Sequence, residues 1–326
     1  MGNVSTTVKR RGNFIGQLTN NRTILLLLII VLISVFMSFL YPKQFMTFTN
    51  FSVILLSVTS IGILSVGMVI LIISGEIDLS VGANLALGAA VSAHIMNNYQ
   101  NIAVPLAVIA GIAVSAFAGF ISGIIVARIG VNSIIATFAM MGIIRAIATR
   151  IASTGFVSLP ESFQKFGQTV FLKFRSPVYY MILLVIIFSF LARNTGYFRK
   201  IYFIGGNEKA AKLSGINVIR EKIISFVLMG ALAGFAGVVL ASRLNFVLGD
   251  LASGIELQVI AGVIIGGGSL AGGIGTVAGA FMGCLFIAVV QNALVIGGVN
   301  IYVQGIIVGV ILIIAASIDI LLRRKL

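Results

Sequence analysis

Apolar residues fall in long runs separated by short polar breaks that are rich in glycine and basic residues. A helix needs about 20 residues to cross the hydrocarbon core of a bilayer. On that measure the pattern predicts spans near 24–41, 51–73, 78–97, 102–127, 131–150, 177–192, 222–242, 256–269, 274–296 and 301–321. Two of them differ from the rest. The runs at 78–97 and 256–269 each carry a carboxylate near the start, and the second is short enough to be a broken or re-entrant helix. The expected fold is all-α: a polytopic membrane protein of about ten transmembrane helices, forming one domain over residues 1–326.

Composition supports lipid as the solvent. Hydrophobic residues make up 59% of the chain and charged residues 9%, against about 25% charged in an ordinary soluble domain. With a mean hydropathy of +1.16, such a surface could not be covered in water. The 37 glycines suit membrane helices whose backbones approach through small residues. Cys284 is the single cysteine, so no disulfide forms within the chain. The run from Ile24 to Leu40 is long for a signal peptide and ends in Tyr41-Pro42 without a small-residue cleavage pattern. It reads as a retained first span.

The net charge of +14 follows topology rather than nucleic-acid binding. Basic residues concentrate in 1–23, at Arg128, in the loop 193–221, and at Arg323, Arg324 and Lys325. Ten spans with both termini cytoplasmic place all of these inside, as the positive-inside rule requires.

The chain repeats itself. Ile77-Asp78-Leu79-Ser80-Val81 recurs as Ile255-Glu256-Leu257-Gln258-Val259, and Ile129-Gly130-Val131-Asn132 as Gly297-Gly298-Val299-Asn300. Under the topology above, the two copies face opposite sides of the membrane. Spans 2–5 and 7–10 would then form an inverted repeat, an arrangement used for alternating access. Chance similarity among Gly, Val and Ile is the competing explanation; the matched order of two motifs opposes it.

Only eight acidic residues occur, so their positions carry information. Glu76 and Asp78 lie in Ser74-Gly75-Glu76-Ile77-Asp78-Leu79-Ser80-Val81-Gly82, a glycine-flanked break between apolar runs. A carboxylate at a helix centre costs about 2.5–3.5 kcal/mol to insert. The pair either braces a broken helix, lines a polar path or starts a helix, where Asp and Ser satisfy free N–H groups. Glu256 occupies the matching break. Ser80, Asn84 and Gln258 complete a candidate set for the translocation pathway or the bracing of its gate. Arg145 lies well inside a predicted span and should face protein or a polar cavity, with a carboxylate as a candidate partner. His94, the lone histidine, has no nearby ligand set for a metal.

The glycine run from Gly266 to Gly275 lacks the Lys-Ser/Thr ending of a phosphate-binding loop. It suits a tight turn between helices, and no motif for hydrolysing ATP occurs elsewhere. Within 193–221, Gly206, Asn207, Glu208, Ala210 and Ala211 outline a short helix. Asn207 is placed to cap it, Glu208 to fill its first turn, and Ser214 with Gly215 to end it. Such a segment is either a docking knob for a soluble partner or an ordinary positive loop with one helical turn.

The order of the segments 74–82, 205–216 and 257–276, followed by Gln291-Asn292-Ala293-Leu294, resembles the permeases of ribose-type monosaccharide ATP-binding cassette importers. The resemblance covers roughly residues 45–320. One departure is Glu76, where many relatives have a glycine or small polar residue. The resemblance implies a bacterial inner-membrane subunit that is not itself an enzyme and carries no cofactor. A cytoplasmic ATPase with two nucleotide-binding domains would bind ATP and Mg. A periplasmic or lipid-anchored binding protein would deliver the sugar. A second copy or a sibling permease would complete the pore, and 205–216 would be the coupling helix. The alternative is a secondary transporter driven by protons or sodium through Glu76, Asp78 or Glu256.

Overall fold

The computed structural model describes residues 22–99, 103–153 and 155–323. The N-terminal segment 1–21, with the basic cluster assigned to the cytoplasm, and the terminal 324–326 lie outside the described residues. Ten main helices occur where apolar runs were expected: α1 Arg22–Leu40, α2 Phe48–Ile73, α3 Val81–Asn98, α4 Val104–Ile124, α5 Ser133–Ala152, α7 Ser176–Asn194, α10 Val218–Leu244, α11 Ile255–Ile265, α12 Val277–Ile296 and α13 Ile301–Arg323. Short helices α6 Glu161–Gln168, α8 Gly196–Gly206 and α9 Glu208–Leu213 lie between them. Among the described residues, seven helices are long and apolar enough to cross a membrane: α1, α2, α4 with its extension, α5, α7, α10 and α12.

Three boundaries correct the sequence reading. Expected over 256–269, the eighth span is a helix of only 11 residues, about 16 Å at 1.5 Å per residue. It stops because Gly267 turns left-handed (φ +95°) and Gly268 N–H bonds back to Val263 O at 2.8 Å. The third span begins at Val81 rather than 78, since 74–80 stays irregular. The seventh begins at Val218 rather than 222, capped by Asn217, whose side chain accepts from Arg220 N–H at 3.0 Å. Glu221 therefore sits on a helix and not in a loop, and Lys222 lies more than a turn inside it. Four two-residue strands also form two small antiparallel pairs, one joining Phe156–Val157 to Phe246–Val247.

α2 lies at the centre of the bundle. From Val58 to Ile73 every residue is buried, as expected of a helix that is apolar all round. α1 and α7 instead expose apolar faces outward, with Leu32 and Phe39 on α1 and Leu183 and Phe190 on α7; lipid is the solvent that such faces fit.

The packing has two matching halves. α3 lies against α4 and α5, as α11 lies against α12 and α13. α10 packs on α3 and α4, as α2 packs on α11 and α12, and α2 meets α10 between the halves. The second motif adopts the same local structure twice. The first shares a left-handed glycine ahead of its helix, although 77–80 is irregular where 255–258 is already helical. Gly75 and Gly254 each have φ +83°, ahead of α3 and α11. Gly130 and Gly298 both turn left-handed, and the next Asn caps the following helix: Asn132 Oδ1 accepts from Ile134 N–H at 3.0 Å, Asn300 Oδ1 from Tyr302 N–H at 2.9 Å. One difference is a π-helical turn, Ile125–Ile129, which extends α4 but has no counterpart on α12.

Helix spacing follows from small residues. A Cβ on Gly88 of α3 would lie 2.6 Å from Gly234 Cα of α10, so the two backbones touch, which gives close van der Waals packing without a hydrophobic driving force.

Candidate functional site

Two polar regions stand out, at the start and at the end of the break between α2 and α3. The first lies where α2 ends. Residues 74–80 leave the helix after Ile73, and their backbone is held from α5: Leu79 N–H donates to Thr137 Oγ1 at 3.0 Å and Ile77 N–H to Ser133 Oγ at 3.4 Å. Against this break pack α8 and the glycine run. Gly273 N–H donates to Ile73 O at 2.8 Å, and Tyr202 OH to Gly275 O at 2.6 Å. Gly205 sits directly on the Ile73 carbonyl, with no room for a Cβ.

α9 follows at once. Asn207 Oδ1 accepts from Ala210 N–H at 3.0 Å, and the helix closes when Gly215 (φ +78°) lets Ile216 N–H reach Ala211 O at 3.1 Å. This 6→1 bond at a left-handed glycine is a Schellman ending. Ala211 is fully buried, whereas Leu213 is 91% exposed. Gly206 has nothing within 4 Å of a built Cβ.

A charge clamp joins α9 to the break. Lys222 Nζ lies 2.6 Å from Glu76 Oε1 and 2.8 Å from Glu208 Oε2, while Lys212 Nζ lies 2.6 Å from Glu208 Oε1. Glu76 and Lys222 are both buried. Hydrogen bonds from Lys212 and then Lys222 hold the Glu208 carboxyl below its ordinary value. The four groups border a cleft of about 460 Å³ that also reaches Asn132 and Ser133. Two residues that the sequence assigned to different roles, Glu76 and Glu208, are thus brought together by Lys222, a residue it did not single out. A lysine at a span start reads as one more inside charge; only the three-dimensional meeting of elements marks it.

The second region lies where α3 and α11 begin. Asp78 is fully buried and its Oδ1 accepts from Ser80 N–H and Oγ–H at 2.7 and 2.6 Å, so it braces the break. Asn84 is buried one turn after Ser80. Glu256 Oε1 accepts from Gly254 N–H at 3.2 Å, and its other oxygen rests against Gly82, where a Cβ would be 2.6 Å away. Asp78 Oδ2, both amide atoms of Asn84 and Glu256 Oε2 are buried without a hydrogen-bond partner among the described residues. Buried polar groups are rarely left so. Gln258, also in this candidate set, instead borders a separate cleft on α11.

Arg145 faces protein, as its place inside a span requires, and its hydrogen-bond partners are carbonyls. It donates from Nη1 to the carbonyls of Gly249 (3.1 Å) and Leu251 (2.8 Å), tying α5 to the link between α10 and α11, in place of a carboxylate ion pair. His94 stands 3.2 Å from the Asn98 amide and edge-on to Phe156.

Residues 50–316 match the family described as branched-chain amino acid transport system / permease component. The ribose import permease protein of Escherichia coli is 38% identical over 299 residues, which is 90% of this chain and 92% of that protein. The Bacillus subtilis ribose import permease protein is 35% identical over 323 residues, 98% and 97% of the two chains. The L-arabinose ABC transporter permease protein of Azospirillum brasilense is 36% identical over 279 residues, 85% and 81%. No solved structure gives a significant match.

Proposed function

Because the chain belongs to the branched-chain amino acid transport system permease family, we propose that it is the membrane subunit of an ATP-driven importer for a pentose-type sugar. Ribose and arabinose are what the names of its relatives specify. In this reading ATP and Mg are bound by a partner ATPase, a binding protein delivers sugar at the opposite face, and a second permease subunit completes the pore in a bacterial inner membrane. No finding favours a proton- or sodium-coupled carrier.

The observation that supports the ATPase side is α9. A helix of six residues, capped at both ends, presents exposed Leu213 while Ala211 anchors it inward and Glu208 is fastened to Lys222. Movement of a docked partner would reach the break after α2 through the clamp and through Gly205. Gly206, Asn207, Ala210, Ser214 and Gly215 shape this docking surface. Asp78, Ser80, Asn84, Glu256 and Gln258 belong to the pathway or to its gate, and Arg145 to the bracing of the opposite face.

The test is uptake of radiolabelled D-ribose and L-arabinose into cells carrying the whole transporter. Uptake is expected to survive a protonophore and to stop when the partner ATPase is inactivated, and Leu213→Asp or Gly215→Trp should abolish it with insertion unchanged. Uptake that collapses with the protonophore and ignores the ATPase would establish the secondary-transporter alternative.

A further inference from the structure

A cleft of about 590 Å³ lies between α2, α11, α12 and α13, within the roughly 300–1,000 Å³ usual for small-molecule sites. Val53 and Ser57 come from the early turns of α2, Gly254 and Gln258 from the start of α11, and Val295 from the end of α12. α2 runs from this level to the break that carries the clamp, so the cleft and α9 are at opposite ends of that helix.

Its polar lining is almost wholly carboxamide: Gln258, Gln291, Asn292 and Gln304, with the Ser57 hydroxyl and no charged group. Carboxamides among apolar helices are costly unless hydrogen-bonded. Here the bonding is incomplete. Asn292 Nδ2 donates to Asn50 Oδ1 at 2.8 Å, which leaves Asn292 Oδ1 buried with no partner among the described residues. Gln304 Nε2 donates to Val299 O at 2.8 Å. The side-chain amides of Gln258 and Gln291 make no hydrogen bond to any described residue.

The repeat supplies an internal control. In the register set by the two motifs, Gln258 corresponds to Ser80 and Gln304 to Ala136. Val131 N–H bonds to Ile125 O and Val299 N–H to Leu294 O, which aligns Gln291 with Ser122 and Asn292 with Gly123. Small residues therefore satisfy the fold in the first half, where Gly123 packs against Ile223 of α10. In the second half the same positions carry long amides and the helices stand apart. The first half packs without such amides.

We propose that this cleft is the contact site for the sugar in transit, deepening the importer reading on which it rests. A carboxamide offers both donor and acceptor, as a sugar hydroxyl does. The uncharged lining suits a neutral polyol, and Val53 and Val295 suit its C–H faces. Contacts of this number and kind hold a ligand weakly enough to release it inward.

The experiment pairs accessibility with transport in the assembled transporter. Gln291→Cys and Gln304→Cys are treated with a charged, membrane-impermeant thiol reagent, Leu172→Cys serving as an exposed control and buried Cys284 as the background. Both cysteines are expected to label. Gln291→Leu and Gln304→Leu should each lower radiolabelled pentose uptake about tenfold, the loss of one hydrogen bond to a ligand, while binding-protein-stimulated ATP hydrolysis stays within about twofold. Cysteines that stay unlabelled while Leu172→Cys reacts would show a lipid- or protein-filled cleft and overturn the proposal. So would normal uptake by both Leu variants. Wild-type cells that take up neither pentose would defeat the pentose reading instead, and the labelling result would still decide the cleft.

Discussion

At the residue scale, Lys222 decides more than any other side chain. It is buried between Glu76 and Glu208, two carboxylates brought in by separate elements. Removing one partner of a buried pair leaves an uncompensated charge, at about 3–5 kcal/mol. Lys222→Met is therefore expected to lower the thermal midpoint of the detergent-solubilised protein by several degrees, and Glu76→Gln added to it should restore most of the loss. Equal midpoints for the single and double variants would show that the clamp is not a unit. Acid should act at the other end of the clamp. Glu208 titrates below its ordinary 4.5 in the fold, so its contribution is complete above that value and is lost as pH falls through the lowered one. The thermal midpoint should thus not change with pH through Glu208 near neutrality, and should show an acid limb that Glu208→Gln removes. None of this was legible in the sequence, where Glu76 looked like a departure at a break and Lys222 like an inside charge. Their meeting depends on contact between residues 146 positions apart in the chain.

The elements were far more legible. Apolar runs located all ten main helices because in lipid each must satisfy its own backbone and present an apolar surface. Asn207 and Gly215 marked α9 because capping is local chemistry. What the pattern missed were boundaries set by contact: the start of α10 at Val218, the early end of α11, and α6 with the strand pair in the outer connections. Gly205 and Gly206 show the same limit. They are neighbours of identical type, yet one touches the Ile73 carbonyl and Gly273 while the other is open. Gly205→Ala is accordingly expected to displace α8 from the break and abolish coupled ATP hydrolysis and uptake. Gly206→Ala, whose Cβ meets nothing within 4 Å, should leave α8 in place and cost much less of either activity. Similar behaviour of the two variants would remove α8 from the transmission route.

For the whole molecule, the inverted repeat ties topology to function. The two halves share their packing partners and the turns at Gly75 and Gly254 and at Gly130 and Gly298. The clamp joins the halves at one end of α2, Glu76 of the first to Lys222 of the second, and the carboxamide cleft lies between them at the other end. Under the importer reading proposed above, energy input would lie at the clamp and substrate entry at the cleft, which is the separation a two-partner importer needs. The sidedness that loop charge suggests is open to a direct test on two connections. Leu213, beside the clamp, and Leu172, in the turn between the strands Val170–Phe171 and Phe174–Arg175, are both strongly exposed, at 91% and 73%. Counting spans from α5, the connection holding Leu172 and the one holding Leu213 are separated by a single crossing, α7. A membrane-impermeant thiol reagent should label Leu172→Cys in intact cells and Leu213→Cys only in inverted vesicles. Labelling of both from one side would mean that α7 does not cross. The repeat would then lose its inversion, because the second half would enter the membrane from the same face as the first.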